Sequence, residues 1–401
     1  MWLRRKLRCL MKTKDLQDLL PTDLPNNFCI APFQSTRQNP YGRTSPCAFG
    51  AGEWRLEDLT PKERWNCTPL NNLRHEFIQG KKPAECHRCW AEEDAGKQSL
   101  RQRQLEYFPN DYQDFIKTGD WLDGPRTAVF KVSNVCNLAC RSCGPHDSNQ
   151  FAEEGKHYQH VYDVGDRPST GNRFFVRKSH EHVKMSEFLP ISQNLKKIDF
   201  YGGEPFLNVS HLELLEAMEH PEDTVLFYST NCTNFPTDRL KRAWNKFKKI
   251  EISMSVDGTE ERFELLRYPG KWSKAEQVIA SIDNLSNELD CEVYTMGSLT
   301  VSAMNVFDID NIYRWHKNRG DIYINMVQSP AYLSIARMPD KVKELVKKQV
   351  TNSEVLGYLD VDTFDSTTWE EFKIWMTRQD LYRKETFGDV FPQMHALMYE
   401  R

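Results

Sequence analysis

Three closely spaced cysteines are the residues best suited to metal chemistry. Cys136, Cys140 and Cys143 lie in the run V-C-N-L-A-C-R-S-C. Three thiolates at this spacing can hold three irons of a [4Fe–4S] cluster and leave the fourth iron open to a substrate or cofactor. The spacing also suits one buried face of a helix, and a structural zinc ion would need a fourth ligand that this run lacks.

A second motif ends the run I-D-F-Y-G-G-E-P, at Gly202, Gly203, Glu204 and Pro205. The two glycines lack a Cβ, so the backbone can approach a ligand closely. The Glu204 carboxylate can accept hydrogen bonds from an ammonium group. The motif therefore predicts a contact with a ligand that carries an amino group.

Together the two motifs resemble the radical S-adenosylmethionine (radical SAM) superfamily, whose hallmark is C-x-x-x-C-x-x-C followed by a G-G-E-P-like turn. The resemblance implies that the amino and carboxylate groups of S-adenosylmethionine (SAM) chelate the open iron. It also implies that an electron from the cluster cleaves the sulfonium. The resulting 5′-deoxyadenosyl radical then abstracts a hydrogen atom from the substrate.

The elements that would position these motifs alternate between strand-like and helix-like segments. This alternation predicts an α/β fold with parallel strands, and six such units match the partial (β/α)6, TIM-like barrel of the radical SAM core. The predicted strands are Thr127–Ser133, Lys196–Tyr201, Thr224–Ser229, Lys249–Val256, Cys291–Thr300 and Asp321–Gln328.

Polar residues follow the predicted strands at the ends where barrel chemistry takes place. The cysteines follow the first strand, G-G-E-P follows the second, and Ser229 and Asn231 stand at the end of the third. The resemblance implies SAM contacts for Ser255 and Asp257 after the fourth strand, and for Arg267 further on. Turn formation by S-V-D-G and a surface ion pair of Arg267 are the alternatives.

The amino-terminal third carries a second group of cysteines. Cys29 and Cys47 lie in F-C-I-A-P-F and G-R-T-S-P-C, whereas Cys86 and Cys89 form E-C-H-R-C. The C-x-x-C pair can hold one metal from a tight turn, and the distant pair would complete a closed four-sulfur site. An auxiliary [4Fe–4S] cluster and zinc both suit four thiolates, and Cys67 could replace Cys29.

This cysteine pattern resembles the twitch domain, a shortened relative of the SPASM domain that carries an auxiliary iron–sulfur cluster in radical SAM enzymes. Such modules more often follow the barrel than precede it. The order seen here resembles uncharacterised, phage-type radical SAM proteins. The basic turn Ser99–Gln104 lies just beyond, and it could contact an acidic or phosphate-bearing substrate or form a solvated helix face.

Composition limits the classes of protein that the chain could represent. The chain has 401 residues, of which 39% are hydrophobic, so it can form a substantial core. A net charge of −4 gives no support for a nucleic-acid partner. No apolar stretch is long enough to span a membrane, and the absence of an export signal predicts a cytoplasmic protein with reduced thiols, in the host cytoplasm if it is phage-encoded.

The motifs divide the chain into four predicted parts. These are an extension over residues 1–24, a twitch/SPASM-like module over 25–120, the radical SAM core over 121–335 and a helical segment over 336–401. Within the last part, helices are predicted at Arg337–Gln349 and Trp369–Tyr382.

The leading hypothesis is a radical SAM enzyme that acts on a peptide or protein, with a nucleotide or sugar derivative as the second choice of substrate. Its cofactors would be the catalytic [4Fe–4S] cluster, SAM and a second [4Fe–4S] cluster. Flavodoxin or ferredoxin would supply the electrons. The alternatives are a non-catalytic zinc or iron–sulfur protein that recognises a partner, and an electron carrier.

Overall fold

A computed structural model of the chain describes residues 13–47, 54–56, 58–94, 96, 98–107, 112–162 and 183–400. Half of the predicted amino-terminal extension, residues 1–12, and residues 163–182 therefore lie outside the described residues. Within the described residues, no helix is long and apolar enough to cross a membrane.

The centre of the fold is a mixed sheet in the order β3-β2-β1-β4-β5-β6-β7-β8-β9. Strands β4 to β9 are parallel, and each is hydrogen-bonded to the next one in the chain. The strands are β1 (Ser35–Gln38), β2 (Arg43–Ser45), β3 (Trp54–Arg55), β4 (Thr127–Lys131), β5 (Lys197–Tyr201), β6 (Val225–Thr230), β7 (Lys249–Ser255), β8 (Glu292–Val301) and β9 (Ile322–Met326). All six predicted strands are confirmed, and with them the α/β fold and a partial barrel.

Helices precede, connect and follow the parallel strands, and those that connect the strands cover the outer face of the sheet. They are α1 (Thr13–Gln17), α2 (Ala31–Gln34), α3 (Pro61–Trp65), α4 (Thr68–Ile78), α5 (His87–Asp94), α6 (Leu100–Tyr107), α7 (Tyr112–Thr118), α8 (Phe151–Tyr162), α9 (Leu189–Ser192), α10 (Leu212–Ala217), α11 (Asp238–Trp244), α12 (Glu260–Leu266), α13 (Trp272–Asp283), α14 (Ile309–Lys317), α15 (Asp340–Gln349), α16 (Ser353–Tyr358), α17 (Ser366–Arg383), α18 (Phe387–Val390) and α19 (Pro392–Tyr399). The two predicted carboxy-terminal helices correspond to α15 and α17.

Side-chain alternation places successive residues of each parallel strand on opposite faces of the sheet. In β5, Ile198 and Phe200 are fully buried in the main core between the sheet and the helices. Tyr201 lies on the opposite face, where its hydroxyl accepts a hydrogen bond of 2.5 Å from Nε of Arg37 in β1. The inner face of the partial barrel is therefore polar enough to hold a charged ligand.

Strands β1 to β3 were not predicted, and they join the barrel sheet. Ser35–Gln38 pairs in parallel with β4, with Ser35 opposite Thr127 and Gln38 opposite Phe130. Its sequence S-T-R-Q shows no alternation of apolar and polar residues, so only pairing with a distant strand makes it a strand. The sheet thus continues across the predicted boundary at residue 121.

The buried imidazole of His211 is expected to make stability depend on pH. His211 packs against the rings of Phe200 and Tyr228, and this burial lowers its pKa to about 4. The unfolded chain gains a proton near pH 6.5, whereas the folded chain does not. Above pH 6.5 His211 is neutral in both states, and the protein keeps its full unfolding free energy. As the pH falls from 6.5 to 4, protonation of the unfolded chain should lower the unfolding free energy by about 3 kcal/mol.

Urea unfolding of the wild type and His211→Leu at pH 7 and pH 4.5 measures this effect. The drop in unfolding free energy on acidification should be smaller in His211→Leu, because the leucine cannot take up a proton in either state. An equal drop in both proteins would contradict the assignment.

Candidate active site and amino-terminal cysteine site

The loop after β4 brings three cysteines to the carboxyl end of the parallel strands. The thiols of Cys140 and Cys143 are adjacent and interact directly. Cys136 Sγ accepts a hydrogen bond from the Leu138 N–H at 3.4 Å and lies 3.7 Å from Asn231 Nδ2. Cys136 and Cys140 are buried, whereas Cys143 is half-buried.

Backbone hydrogen bonds attach this loop to the segment that follows α12. Ala139 donates to the carbonyl of Tyr268 at 2.6 Å, and Arg141 donates to the carbonyl of Leu266 at 2.8 Å. The loop is therefore fixed in position beside Arg267, which lies between the two acceptors.

The protein environment disfavours negative charge on these thiols. Burial raises the pKa of Cys136 to about 12, with a further contribution from the Glu204 carboxylate. The neighbouring Cys140 thiol, followed by burial, raises the pKa of Cys143. Thiolates packed this closely need positive charge to balance them, which iron ions would provide.

The glycines of G-G-E-P allow two loops to touch. Gly202 and Gly203 have φ values of +81° and +58°. A Cβ on Gly203 would lie 2.2 Å from the carbonyl oxygen of Val135, and one on Gly202 would lie 2.3 Å from the side chain of Lys131. The structure thus uses these glycines to pack the turn against the cysteine loop.

The Glu204 carboxylate is completely buried and joins the G-G-E-P turn to the end of β6. Oε1 accepts hydrogen bonds from the Phe206 N–H and the Thr230 hydroxyl, and Oε2 accepts one from the Asn231 N–H at 2.7 Å. Burial raises its pKa to about 7 despite these donors. Since each oxygen has two lone pairs, Oε2 keeps one for a further donor. Pro205 begins the short 3-10 turn that follows.

Polar residues at the carboxyl ends of the neighbouring strands β6 and β7 lie close together. The hydroxyls of Ser229 and Ser255 are 3.5 Å apart. Asn231 Nδ2 donates to Asn137 at 3.1 Å, and its Oδ1 accepts from the Thr233 N–H at 2.9 Å. Asn231 therefore holds the cysteine loop against the end of β6.

Asp257 and Arg267 form a buried ion pair, so the surface alternative for Arg267 is wrong. Arg267 Nη2 lies 2.7 Å from Asp257 Oδ2, whereas Asp257 Oδ1 accepts from the Thr300 N–H at 2.8 Å. Burial alone would lower the pKa of Arg267, but Asp257 and the thiols of Cys140 and Cys143 raise it overall. Its Nε is buried and has no hydrogen-bond partner among the described residues.

The four predicted amino-terminal cysteines line one small cavity. Cys29 precedes α2, Cys47 follows β2, and Cys86 and Cys89 stand at the start of α5. Cys67 is not among the cavity's lining residues and packs in a separate apolar cluster. The structure therefore does not support Cys67 as a replacement for Cys29.

Burial and repulsion from neighbouring thiols also raise the pKa values of three amino-terminal thiols, those of Cys29, Cys86 and Cys89. Burial is the main cause of the shift at Cys86, whose pKa rises to about 12, and the nearby thiols of Cys47 and Cys89 raise it further. Burial likewise raises the pKa of Cys29 and of Cys89. As at the first group, bound metal would supply the missing positive charge.

No disulfide bond joins cysteines within the described ranges. In that part of the chain, no three His, Cys, Asp or Glu side chains lie close enough together to hold one metal ion. The thiols of a [4Fe–4S] cluster each bind a different iron, so they fit a wider spacing than the ligands of one ion.

Arg141 is an important residue of the site that sequence reasoning missed. Its fully buried guanidinium reaches Asp380 at 2.5 Å and Glu385 at 3.0 Å. Arg383 forms a second buried ion pair nearby, with Glu154 of α8 at 2.9 Å. The carboxy-terminal segment is thereby anchored to the cysteine loop, a contact that no sequence spacing indicates.

A protein-family model matches the part of the chain that contains Cys136 to Arg267. Residues 130–315 match the model of the Radical SAM superfamily. No curated protein matches the sequence.

Solved structures to which the chain is similar include native anSMEcpe with bound AdoMet, at 15% identity and a TM-score of 0.36 over 65% of this chain and 63% of that one. Streptococcus suis SuiB bound to S-adenosylmethionine has 14% identity and a TM-score of 0.36, and the match covers 82% of this chain and 71% of SuiB. The chain thus spans less than two thirds of the length of anSMEcpe.

Proposed function

We propose that this protein is a radical SAM enzyme, because residues 130–315 match the Radical SAM superfamily. Cys136, Cys140 and Cys143 would hold a [4Fe–4S] cluster, and SAM would bind at its open iron. The observation that carries the proposal is the position of these thiols at the carboxyl end of β4, beside Glu204 and Arg267.

When bound, the cluster would supply the electron that cleaves SAM into methionine and the 5′-deoxyadenosyl radical. The chain's own residues would bind and orient the reactants. Glu204 would accept a hydrogen bond from the methionine ammonium through the remaining lone pair of Oε2. The backbone of Gly202 to Pro205 would shape this side of the site.

Arg267 has two proposed roles, since it lies near the thiols and has a buried Nε that could serve a ligand. Its charge would balance the thiolates of Cys140 and Cys143, and its unpartnered Nε could donate to the SAM carboxylate. Asp257 would hold the guanidinium in place. We propose that the hydroxyls of Ser229 and Ser255 contact the ribose, and that Asn231 fixes Cys136.

We also propose an auxiliary [4Fe–4S] cluster on Cys29, Cys47, Cys86 and Cys89, in a twitch/SPASM-like module that precedes the barrel. The convergence of four thiols from three distant segments on one cavity supports it. Because all four irons would have protein ligands, this cluster would transfer electrons or support the substrate site rather than bind SAM.

The proposed substrate is a peptide or protein, which twitch and SPASM relatives commonly modify. Flavodoxin or ferredoxin is the proposed reductant. A phage-encoded protein that works in the host cytoplasm remains the proposed setting.

Release of 5′-deoxyadenosine tests the proposed function. The reconstituted protein, incubated anaerobically with SAM and dithionite, should form 5′-deoxyadenosine, and Cys140→Ala should form it at least ~100-fold more slowly. Cys291→Ala is the matched control, since Cys291 lies outside both cysteine groups, and it should keep the wild-type rate.

A wild type that binds iron but releases no 5′-deoxyadenosine would overturn the proposal. If its cluster spectrum were also unchanged by SAM, the electron-carrier alternative would be favoured. Bound zinc without iron would favour a non-catalytic binding protein.

A further inference from the structure

A cavity of about 490 Å³ lies beside the last strand of the partial barrel. Residues Tyr323, Ile324, Asn325 and Met326 of β9 form one wall, and Arg88 of α5 with Arg103 of α6 forms another. Residues of α16 close the third side. A cavity of this size is within the range that binds small ligands or short peptide segments.

The cavity lies along an unpaired strand edge. β9 is the last strand in the sheet order, so among the described strands only β8 is hydrogen-bonded to it, along one edge. Gly297 of β8 donates to the Asp321 carbonyl at 2.8 Å, which sets the alternation along β9. The N–H and C=O groups of Ile324 and Met326 therefore point away from β8, toward the cavity.

The two arginines of this cavity differ in their surroundings. Arg88 lies 3.4 Å from Glu92, its neighbour on α5. Arg103 is half-buried with its guanidinium 5.6 Å from the ring centre of Tyr323, and no described carboxylate is within ion-pair distance of it. On the opposite wall Glu354 is exposed. An acidic group that enters the cavity would thus form an ion pair with Arg103, on the wall formed by α6.

The cavity also adjoins the four-cysteine site. Arg88 stands between Cys86 and Cys89 in the chain and lines both cavities. A molecule bound along β9 would therefore lie next to the helix that carries two of the proposed auxiliary cluster ligands.

We propose that the free edge of β9 docks an extended segment of a peptide substrate. The segment would add a strand to the sheet through the backbone groups of Ile324 and Met326, and an acidic side chain of the segment would pair with Arg103. Strand addition combines main-chain hydrogen bonds with pockets that accept side chains of the added strand. The outer edge of β9 would supply the main-chain groups, and the cavity would accept a side chain. The inference rests on the proposed function in taking a peptide as the substrate.

Peptide binding to the full chain without SAM tests the inference. The probe is a positional-scanning library of fluorescent nine-residue peptides, read by anisotropy. The wild type should select Asp or Glu at one position, and Arg103→Ala should weaken binding of the best acidic peptide at least ~10-fold and lose that selection. Arg314→Ala, which removes an exposed arginine of α14 that does not line the cavity, should behave as wild type.

Backbone N-methylation of the selected peptide tests the binding mode without changing the protein. Methyl groups at every second residue should weaken binding at least ~10-fold, and those at the intervening residues should be tolerated, because alternate amides face the sheet. Uniform tolerance, or a helical pattern of sensitivity, would overturn the proposal.

Dimerisation of the chain through β9 without peptide selection would also overturn it, and sedimentation of the free protein detects that outcome. Because no SAM or reductant is used, these results are independent of 5′-deoxyadenosine release. A failure of docking is therefore distinguishable from a failure of the proposed catalytic function.

Discussion

Replacing Cys86 and Cys89 with alanine is expected to remove about half of the iron and acid-labile sulfide that the protein binds after anaerobic reconstitution. The wild type should hold about eight irons per chain and the Cys86→Ala/Cys89→Ala variant about four, because each [4Fe–4S] cluster has its own set of thiols. The physical reason is that two thiols of the amino-terminal cavity cannot hold a cluster alone. Iron and sulfide assays of both proteins measure the change.

Cys67→Ala is the matched control for this experiment. Cys67 is a buried cysteine of the same region, but it packs in a separate cluster with Leu56, Trp65 and Leu70. The Cys67→Ala variant should therefore still bind about eight irons per chain. Loss of zinc instead of iron in the Cys86→Ala/Cys89→Ala variant would identify a structural zinc site, and loss of iron from Cys67→Ala would contradict the proposed ligand set.

Arg141→Met is expected to destabilise the protein and to slow SAM cleavage. The substitution leaves Asp380 and Glu385 close together without their shared cation, and we expect a loss of about 3 kcal/mol in unfolding free energy. Arg141 lies between Cys140 and Cys143, so loss of its anchor should also let the cysteine loop move. We expect 5′-deoxyadenosine release to fall at least ~10-fold.

Two further variants separate these effects. Lys373→Met breaks an exposed ion pair with Glu370 on the same helix, α17, and should cost less than about 1 kcal/mol. Adding Asp380→Asn and Glu385→Gln to Arg141→Met should restore part of the stability, since no unpaired charge remains, but not the rate. Full recovery of both would show that Arg141 acts through stability alone.

The strands show how far the sequence predicts the fold. The six parallel strands carry β-branched and aromatic residues in runs that end at turn residues, so their positions follow from local pattern. β1 has the sequence S-T-R-Q and depends on pairing with β4. No local signal marks such a strand, because its stability comes from a contact far away in the sequence.

The site shows the same division between local and distant information. Cysteine spacing predicts both thiol groups, and the structure brings the four amino-terminal thiols to one cavity. The pairing of Asp257 with Arg267 could not be foreseen, since both were expected to contact a ligand separately. Arg141 gave no signal either, because its partners lie in the carboxy-terminal segment.

Pairing between β1 and β4 has a consequence for how the protein can be divided. β4 leads directly into the loop with Cys136, and β1 occupies the edge of β4 that faces away from β5. A fragment that begins at residue 121 would expose that edge as a template for intermolecular pairing. The amino-terminal region therefore covers the outer edge of β4 and should reduce aggregation of the barrel. The two parts are expected to remain soluble only when they are produced as one chain.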